Sequence, residues 1–571
     1  MKKIIPALAV ALLICSAPAL AGENKSAIEK KVTGILKEIE NRKTLSFFRD
    51  EIKTLSELGA PAVDALMKAV KEGLETKEKE RSGFVAEEAL EKFTDLKAVK
   101  PLTKWLKDKN IRIRILAITV IGNLRSKEGI EPLLPLLEDK EAAIRVAVTE
   151  ALGDIGDKKA SKALEKRLKD AELQVRRKAI ESLSRIGDTA YVTLFITMLG
   201  DVKEDAKLRE MCAFALGNLK DKRATKALCG ILLDGKNPKT FRATAANSLE
   251  KIKDPEAVPS LSKVAKDKTD DKSLRLTAIR AMGVIAHTSA KAVLLEIMNG
   301  SEKKLSQRAA FALLNLGDRN LREKLAAAFI KMLDEEDDAT VKSALNCLGR
   351  MRETKARKRI VSLLTDEDRK DRVRQTAVKA LGKIGGTWAM DNLVPILQDD
   401  LEDTITRAYA AEALGDIGNP IAVPALIEAL NARDDWIRRK SAIALGKIGD
   451  KKASKTLKKV WEKDTDEKVR LAAAFGLYRT AGNKAALEEI LTTLKKGKVV
   501  MRRFAVDLIG ETREKRFIPL LAEALYDEDP YSAGVAMHAC WALRQITGEK
   551  IGEDVDTWKK WCEKNAARYK K

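Results

Sequence analysis

Apolar residues recur along this chain at steps of four, four and three. In AAIRVAVTEALGDIGD (142–157) they are Ile144, Val148, Leu152 and Ile155. In DWIRRKSAIALGKIGD (435–450) they are Ile437, Leu445 and Ile448, with Ser441 in the second place. Such steps put the four positions on one face of a helix. A shorter helix follows, cued by segments such as AVPALIEALNARDD (422–435), with proline in its opening turn. The pattern therefore predicts pairs of helices.

With Gly153 as anchor, equivalent positions are Ser56, Glu91, Gly122, Ser184, Gly217, Glu250, Gly283, Leu314, Gly349, Gly382, Gly415, Gly446, Tyr478, Gly510 and Arg544. That makes sixteen units with a mean period of about 32.5 residues. The octapeptide IGDKKASK stands at 155–162 and again at 448–455, nine units on. A unit this short cannot bury its own apolar face, so its stability must come from stacking on its neighbours. Position −5 is often alanine (Ala117, Ala179, Ala278, Ala377, Ala473), which lets helices come close. The anchor glycine serves the same end or relaxes the helix near its C-terminus. The first two units are degenerate. The expected organisation is a leader at 1–21, an N-terminal capping region at 22–110, a solenoid at 111–545 and a Trp-rich ending at 546–571.

Position −8 is arginine in eleven of the sixteen units: Arg114, Arg145, Arg176, Arg209, Arg242, Arg275, Arg374, Arg407, Arg438, Arg470 and Arg502. Several have an aspartate six residues earlier (Asp108, Asp139, Asp170, Asp368, Asp464). An acid in step with the arginine favours a structural ladder joining the inter-helix turns of adjacent units over an anion-binding rail.

Positions −7, −3 and +1 lie opposite the apolar face and vary most. They offer a mixed basic and aromatic surface: Arg177, Phe214, Arg280, Phe311, Lys379, Arg439, Phe475 and Arg503. The functional reading is a concave groove that grips a peptide segment or protein edge. The bland one is that the phenylalanines pack against neighbouring units. Trp388 and Trp436 replace polar residues of sister units and are second-tier contact candidates.

Charge narrows the partners. The chain carries a formal +23 with only 4% aromatic residues. Its first residues, MKKIIPALAVALLICSAPALAGENKS, have the basic start, apolar run and Ala19-Leu20-Ala21 ending of a secretory signal. Cleavage after Ala21 leaves +21 and an exported protein, periplasmic or extracellular. An uncleaved anchor and a lipoprotein at Cys15 are the rival readings of this segment. The positive surplus suits an anionic surface of lipid or glycan, and export argues against nucleic acid. Cys212, Cys229, Cys347, Cys540 and Cys562 are odd in number and lack C-x-x-C spacing, so they form neither a zinc site nor a disulfide framework. A Cys540–Cys562 bridge stays open on sequence grounds.

The pattern V-R-x-x-A-x-x-A-L-G-x-I-G-D followed by A-V-P-x-L resembles the HEAT repeat of the phycobilisome-lyase-like type, best between about 110 and 450. The resemblance implies an all-α, right-handed α-α superhelix of about sixteen two-helix repeats. Trp558 and Trp561 in ITGEKIGEDVDTWKKWCEKN (546–565) resemble the ending of exported bacterial HEAT-repeat proteins, where they would cover the last repeat or dock a partner. Enzymes of similar repeat leave no trace here. The deoxyhypusine hydroxylases hold iron with His-Glu pairs, whereas the only histidines, His287 and His538, precede Thr288 and Ala539. The carboxylate and aromatic cluster of HEAT-like DNA glycosylases is not evident, and nothing beyond the repeat supports a bilin lyase. No cofactor is expected. The sequence reads as a non-enzymatic scaffold for an envelope or extracellular protein, with electrostatic adhesion second and an enzyme with an unrecognised site third.

Overall fold

In a computed structural model the described residues are 25–41, 48–366, 369–527, 533–549, 551–552 and 554–569. The leader at 1–21, with Cys15, and the ladder residue Asp368 lie outside them. The chain is an all-α superhelical solenoid, and its described residues form α and short 3-10 helices without strands. It divides between Leu316 and Gly317 into two compact units. The division follows the repeat whose anchor is Leu314 instead of glycine.

Each repeat is assembled by the same local code. The second helix runs through the anchor, as in Ala142–Ile155 and Asp435–Ile448. It stops at position +3 in the left-handed conformation, with φ of 73° at Gly156 and 77° at Gly449. At +4, the Asp157 and Asp450 side chains accept the backbone N–H of Lys159 and Lys452, each at 2.9 Å, and cap the next helix. Ala160 and Ala453 then turn inward and are fully buried. The repeated octapeptide is thus a helix stop, a turn and a helix start in one phrase.

Six repeats make the same stop without glycine at +3, and there it is strained: Arg125, Lys220, Lys253, Ala286, Arg352 and Arg513 all have positive φ. Ala286 is exposed with φ of 55°, so glycine there removes strain without removing packing. Ala286→Gly is expected to stabilise its repeat by about 1 kcal/mol. Slower amide hydrogen exchange across 272–290 would show it, and faster exchange would refute it.

The anchor glycine has a different task from the glycine at +3. A Cβ on Gly415 would lie 2.6 Å from Ala444 Cα, and one on Gly283 would lie 2.7 Å from Ala312 Cα. Gly153 and Gly217 meet Ser182 and Ser248 in the same way. Anchors therefore set the close approach of successive second helices, against a small residue at −2 of the next repeat. The alanines at −5 are fully buried beside them. First helices touch their neighbours only sparsely, so within each unit the second helices form the inner layer.

In the N-terminal unit, helix Lys25–Asn41 buries Ile28, Val32, Leu36 and Ile39, and Lys25 Nζ reaches Asp64 at 2.7 Å. In the C-terminal unit, helix Val555–Asn565 packs beneath the last repeat. Its Trp558 is fully buried, donates to the Gly552 carbonyl at 2.8 Å and meets Trp561 edge-on. Cys212, Cys229, Cys347, Cys540 and Cys562 are buried, and Cys540 and Cys562 are not bridged. Burial pushes Cys212 up to about 12 and Cys562 up to about 11, which leaves them unreactive at neutral pH. No described helix is long and apolar enough to cross a membrane.

Candidate protein-binding face

All eleven −8 arginines point into the turns between helices. Arg145 grips Asp170 of the next repeat through Nε and Nη2, both at 2.9 Å, and donates to the Asp139 carbonyl of its own turn at 2.9 Å. Arg438 repeats this with Asp464 at 2.8 and 2.9 Å and with the Ala432 carbonyl. Arg502 does so with Asp527 and the Gly497 carbonyl. Arg242 and Arg275 pair with Asp270 and Glu302 and bond the Leu232 and Ala265 carbonyls. Arg374 bonds Glu402 and the Leu364 carbonyl, and Arg407 bonds the Leu397 carbonyl and pairs with Asp400. Arg114, Arg176, Arg209 and Arg470 likewise donate to carbonyls of their own turns. None of the eleven is fully exposed.

Of the inner-face candidates, the N-terminal unit holds four. Phe214 is 50% exposed and is already covered by the Lys251 ammonium, 4.3 Å above its ring. Arg280 is exposed and reaches back to Glu250 at 2.7 Å and Asn247 at 2.6 Å. Phe311 is half-buried, as is Arg177, whose Nε is buried without a hydrogen-bond partner.

In the C-terminal unit, Lys379 lies 3.5 Å over Tyr409, which meets Trp436 edge-on. Arg357 lies over Trp388. Phe475 corrects the expectation: it is fully buried, its ring occupying the space a side chain on Gly446 would need, and cannot contact a partner. Glycine at 446 leaves a hollow, and the nearest large side chain of the next helix fills it.

Phe475 is drawn into the core, and helix Glu467–Ala481 contributes no residue to the cleft beside it. Helices Asp435–Ile448 and Val499–Thr512 meet across the gap, where Arg439 lies 5.7 Å from the Phe504 ring. With Thr404–Ile417 and Ala533–Thr547 they enclose a cleft of about 440 Å³. Its apolar lining is Ile443, Ala444, Phe504, Leu508, Met537 and Trp541, and its polar lining is Glu412, Lys440, Lys447, Asp507, Glu511 and His538.

The polar groups are paired among themselves. Lys447 Nζ bridges Asp416 at 2.9 Å and Glu511 at 3.0 Å. Burial pulls its pKa down, but the two carboxylates outweigh this and hold it above the usual lysine range. Lys440 pairs with Glu412 at 2.8 Å. His538 Nδ1 is 2.5 Å from Asp507, and its Nε2 is 3.2 Å from Arg503 Nη2. Arginine can only donate, so His538 Nε2 accepts and Nδ1 carries the proton shared with Asp507. That occupies both ring nitrogens, and no Ser, Thr or Cys lines the cleft to act as nucleophile. His287 caps a turn through the Ser289 amide. Among the described residues no three His, Cys, Asp or Glu side chains converge as a metal site. The arrangement suits binding: an apolar floor with a pre-oriented charged rim.

Of the eight sequence candidates, only Arg439 and Arg503 border this cleft. The inner stripe runs through −6, −3 and +1, with steps of three and four, instead of −7, −3 and +1. Tyr409, Lys440, Phe504 and His538 stand at −6, while Asp416, Lys447 and Glu511 stand at +1. Two successive steps of four slant across a helix by about 80°, which the three-then-four spacing avoids. Trp541 occupies −3 of the last repeat, so continuing that row by one unit would have found it.

A profile of HEAT repeats matches residues 99–184, 163–240, 192–272, 231–317, 326–405 and 390–477. No curated protein matches the sequence. Among solved structures the chain is similar to the karyopherin Kap121p bound to the SUMO protease Ulp1p, with 14% identity, 97% of this chain and 73% of that chain covered, and a TM-score of 0.53. Kap121p bound to Pho4p gives 12% identity, 98% and 74% coverage and a TM-score of 0.50. The CpcE–CpcF complex of phycocyanin lyase from Nostoc sp. PCC7120 gives 22% identity, 41% and 94% coverage and a TM-score of 0.33. At these identities the likeness is one of fold.

Proposed function

The chain belongs to the HEAT-repeat family, and we propose that it is a non-enzymatic, exported scaffold that grips a protein partner on the inner face of its C-terminal unit. The cleft between helices Asp435–Ile448 and Val499–Thr512 carries this reading. Of its apolar side chains Ile443, Phe504 and Trp541 are only partly covered and Met537 is 49% exposed, while its charges are already paired. A partner that inserts an apolar side chain there need not strip an unpaired charge of water, which keeps the desolvation cost low. A volume of about 440 Å³ admits one or two side chains. Kap121p with Ulp1p or Pho4p bound supplies a fold-level analogy only. The export part of the proposal rests on the pattern of residues 1–21.

The test compares capture from an envelope extract by the full chain, by Phe504→Asp/Met537→Glu, and by Lys30→Gln/Lys37→Gln as a control. A protein held by the full chain and the control at about 0.5 M salt, where surface charges are screened beyond about 5 Å, supports the reading if the cleft variant loses it at least tenfold. Equal recovery by all three, or recovery only of polyanions that wash off early, would overturn it.

A further inference from the structure

We infer that the two copies of IGDKKASK mark lysine stripes that dock the protein on an anionic bilayer surface. The stripes occupy positions +5, +9 and +13 of their repeats: Lys158, Lys162 and Lys166 in the N-terminal unit, and Lys451, Lys455 and Lys459 in the C-terminal unit. Lys158 and Lys451 stand in the 3-10 turns that lead into the first helices Ser161–Arg167 and Ser454–Lys463, which carry the other four, so each set runs obliquely along the outer layer of its unit. All six side chains are exposed.

Other repeats do not share the pattern. The same three positions are Thr189, Thr193 and Thr197 in one repeat, Pro420, Pro424 and Glu428 in another, and Thr387, Asp391 and Pro395 in a third. Two repeats carry lysine at two of the three: Lys222 and Lys226, a row that Gly230 ends, and Lys100 and Lys104, which Leu96 precedes. Only the octapeptide repeats carry lysine at all three. The shared turn code accounts for their Gly, Asp and Ala but not for the exposed lysines, which the fold leaves free to vary.

Five of the six charges are not used in ion pairs among the described residues, and Lys158 reaches Asp188 at 3.4 Å. Lysine in such a row differs from the arginines of the ladder: it is a compact, strongly hydrated charge without a planar fork for a defined phosphate or base. No aromatic side chain interleaves the lysines of either stripe for base or sugar stacking, and the cleft described above is lined by other helices. Bare ammoniums in a row along an outer helix read charge density, the property that a bilayer rich in anionic headgroups presents. This surface is separate from the inner-face cleft, so the two readings fail separately.

Co-sedimentation of the full chain with phosphatidylcholine vesicles, with and without about 30% phosphatidylglycerol at about 0.1 M salt, tests this. Binding is expected only to the anionic vesicles. Each lysine near the surface contributes about 1 kcal/mol, so Lys451→Gln/Lys455→Gln/Lys459→Gln should weaken binding at least tenfold. Lys158→Gln/Lys162→Gln/Lys166→Gln should do likewise. The control Lys30→Gln/Lys37→Gln/Lys53→Gln removes equal charge elsewhere and should change it less than about threefold. Equal loss in the control would mean that net charge alone binds, and equal binding to neutral vesicles would exclude the stripes. Tighter binding to double-stranded DNA, lost in the same stripe variants, would reassign them to nucleic acid and overturn the bilayer reading.

Discussion

Replacing Phe475 with alanine is expected to destabilise the C-terminal unit by about 3–5 kcal/mol. The ring is fully buried, and it lies against Gly446, where no side chain exists to collapse into the space it would leave. Its neighbours Ala473, Ala474 and Gly476 are too small to fill the void. In a stacked array such a cavity weakens the interfaces on both sides of the repeat, so the loss spreads to nearest neighbours before it spreads further. Hydrogen exchange should show protection falling across 435–448 and 467–481, with little change in the N-terminal unit. Phe214→Ala is the matched comparison. That side chain is half exposed, and the loss should stay below about 1 kcal/mol. A Phe475→Ala variant no less stable than Phe214→Ala would show that the ring is not the wedge described above.

Breaking one rung of the arginine ladder should be comparably severe. Arg438→Ala removes two hydrogen bonds to Asp464 and two to the carbonyls of Ala432 and Arg433. The Asp464 side chain is only 9% exposed and keeps the Asp466 amide bond but loses its ion-pair partner, at a cost of about 3–5 kcal/mol. Removing both partners in Arg438→Ala/Asp464→Ala should cost less than the sum of the single losses.

The pH dependence follows from the same pair. Burial pushes the Asp464 carboxyl up, but the bonds from Arg438 and the Asp466 amide outweigh this and hold it below the usual carboxylate range. A depressed folded-state pKa contributes stability above the unfolded value, lost as acid takes the pH below about 4. Asp170, held by Arg145, acts in the same sense. The melting temperature of the full chain should therefore fall below about pH 4. The deficit of Arg438→Ala should be widest near neutrality and should narrow in acid, where Asp464 is neutral in both proteins. A deficit constant from neutral to acid pH would assign the loss to packing instead of charge.

The inner face was less legible than the turns, for a geometric reason. Turn contacts are set by short or regular chain separations: an arginine and its own turn lie five to ten residues apart, its acid partner in the next repeat 25 to 28 residues on, and Gly449 and Asp450 are adjacent. A row of residues facing a cleft depends on the angle each helix takes within the stack, and an error of one position displaces the whole row. His538 stands alone in the sequence, yet it meets Asp507 and Arg503 from the repeat before. Lys447 likewise finds Glu511 two repeats on.

By itself the sequence determined the all-α class and the register of the repeats, and it placed an arginine at −8 in eleven of them. Each of these follows from periodicity. Only the tertiary structure decided that the anchor glycines serve close approach, that Phe475 is core while Phe214 is surface, and that a cleft opens between helices Asp435–Ile448 and Val499–Thr512. These depend on what the neighbouring repeat offers at the point of contact. Glycine at 446 admits a ring, and no pattern within the ring's own repeat records that.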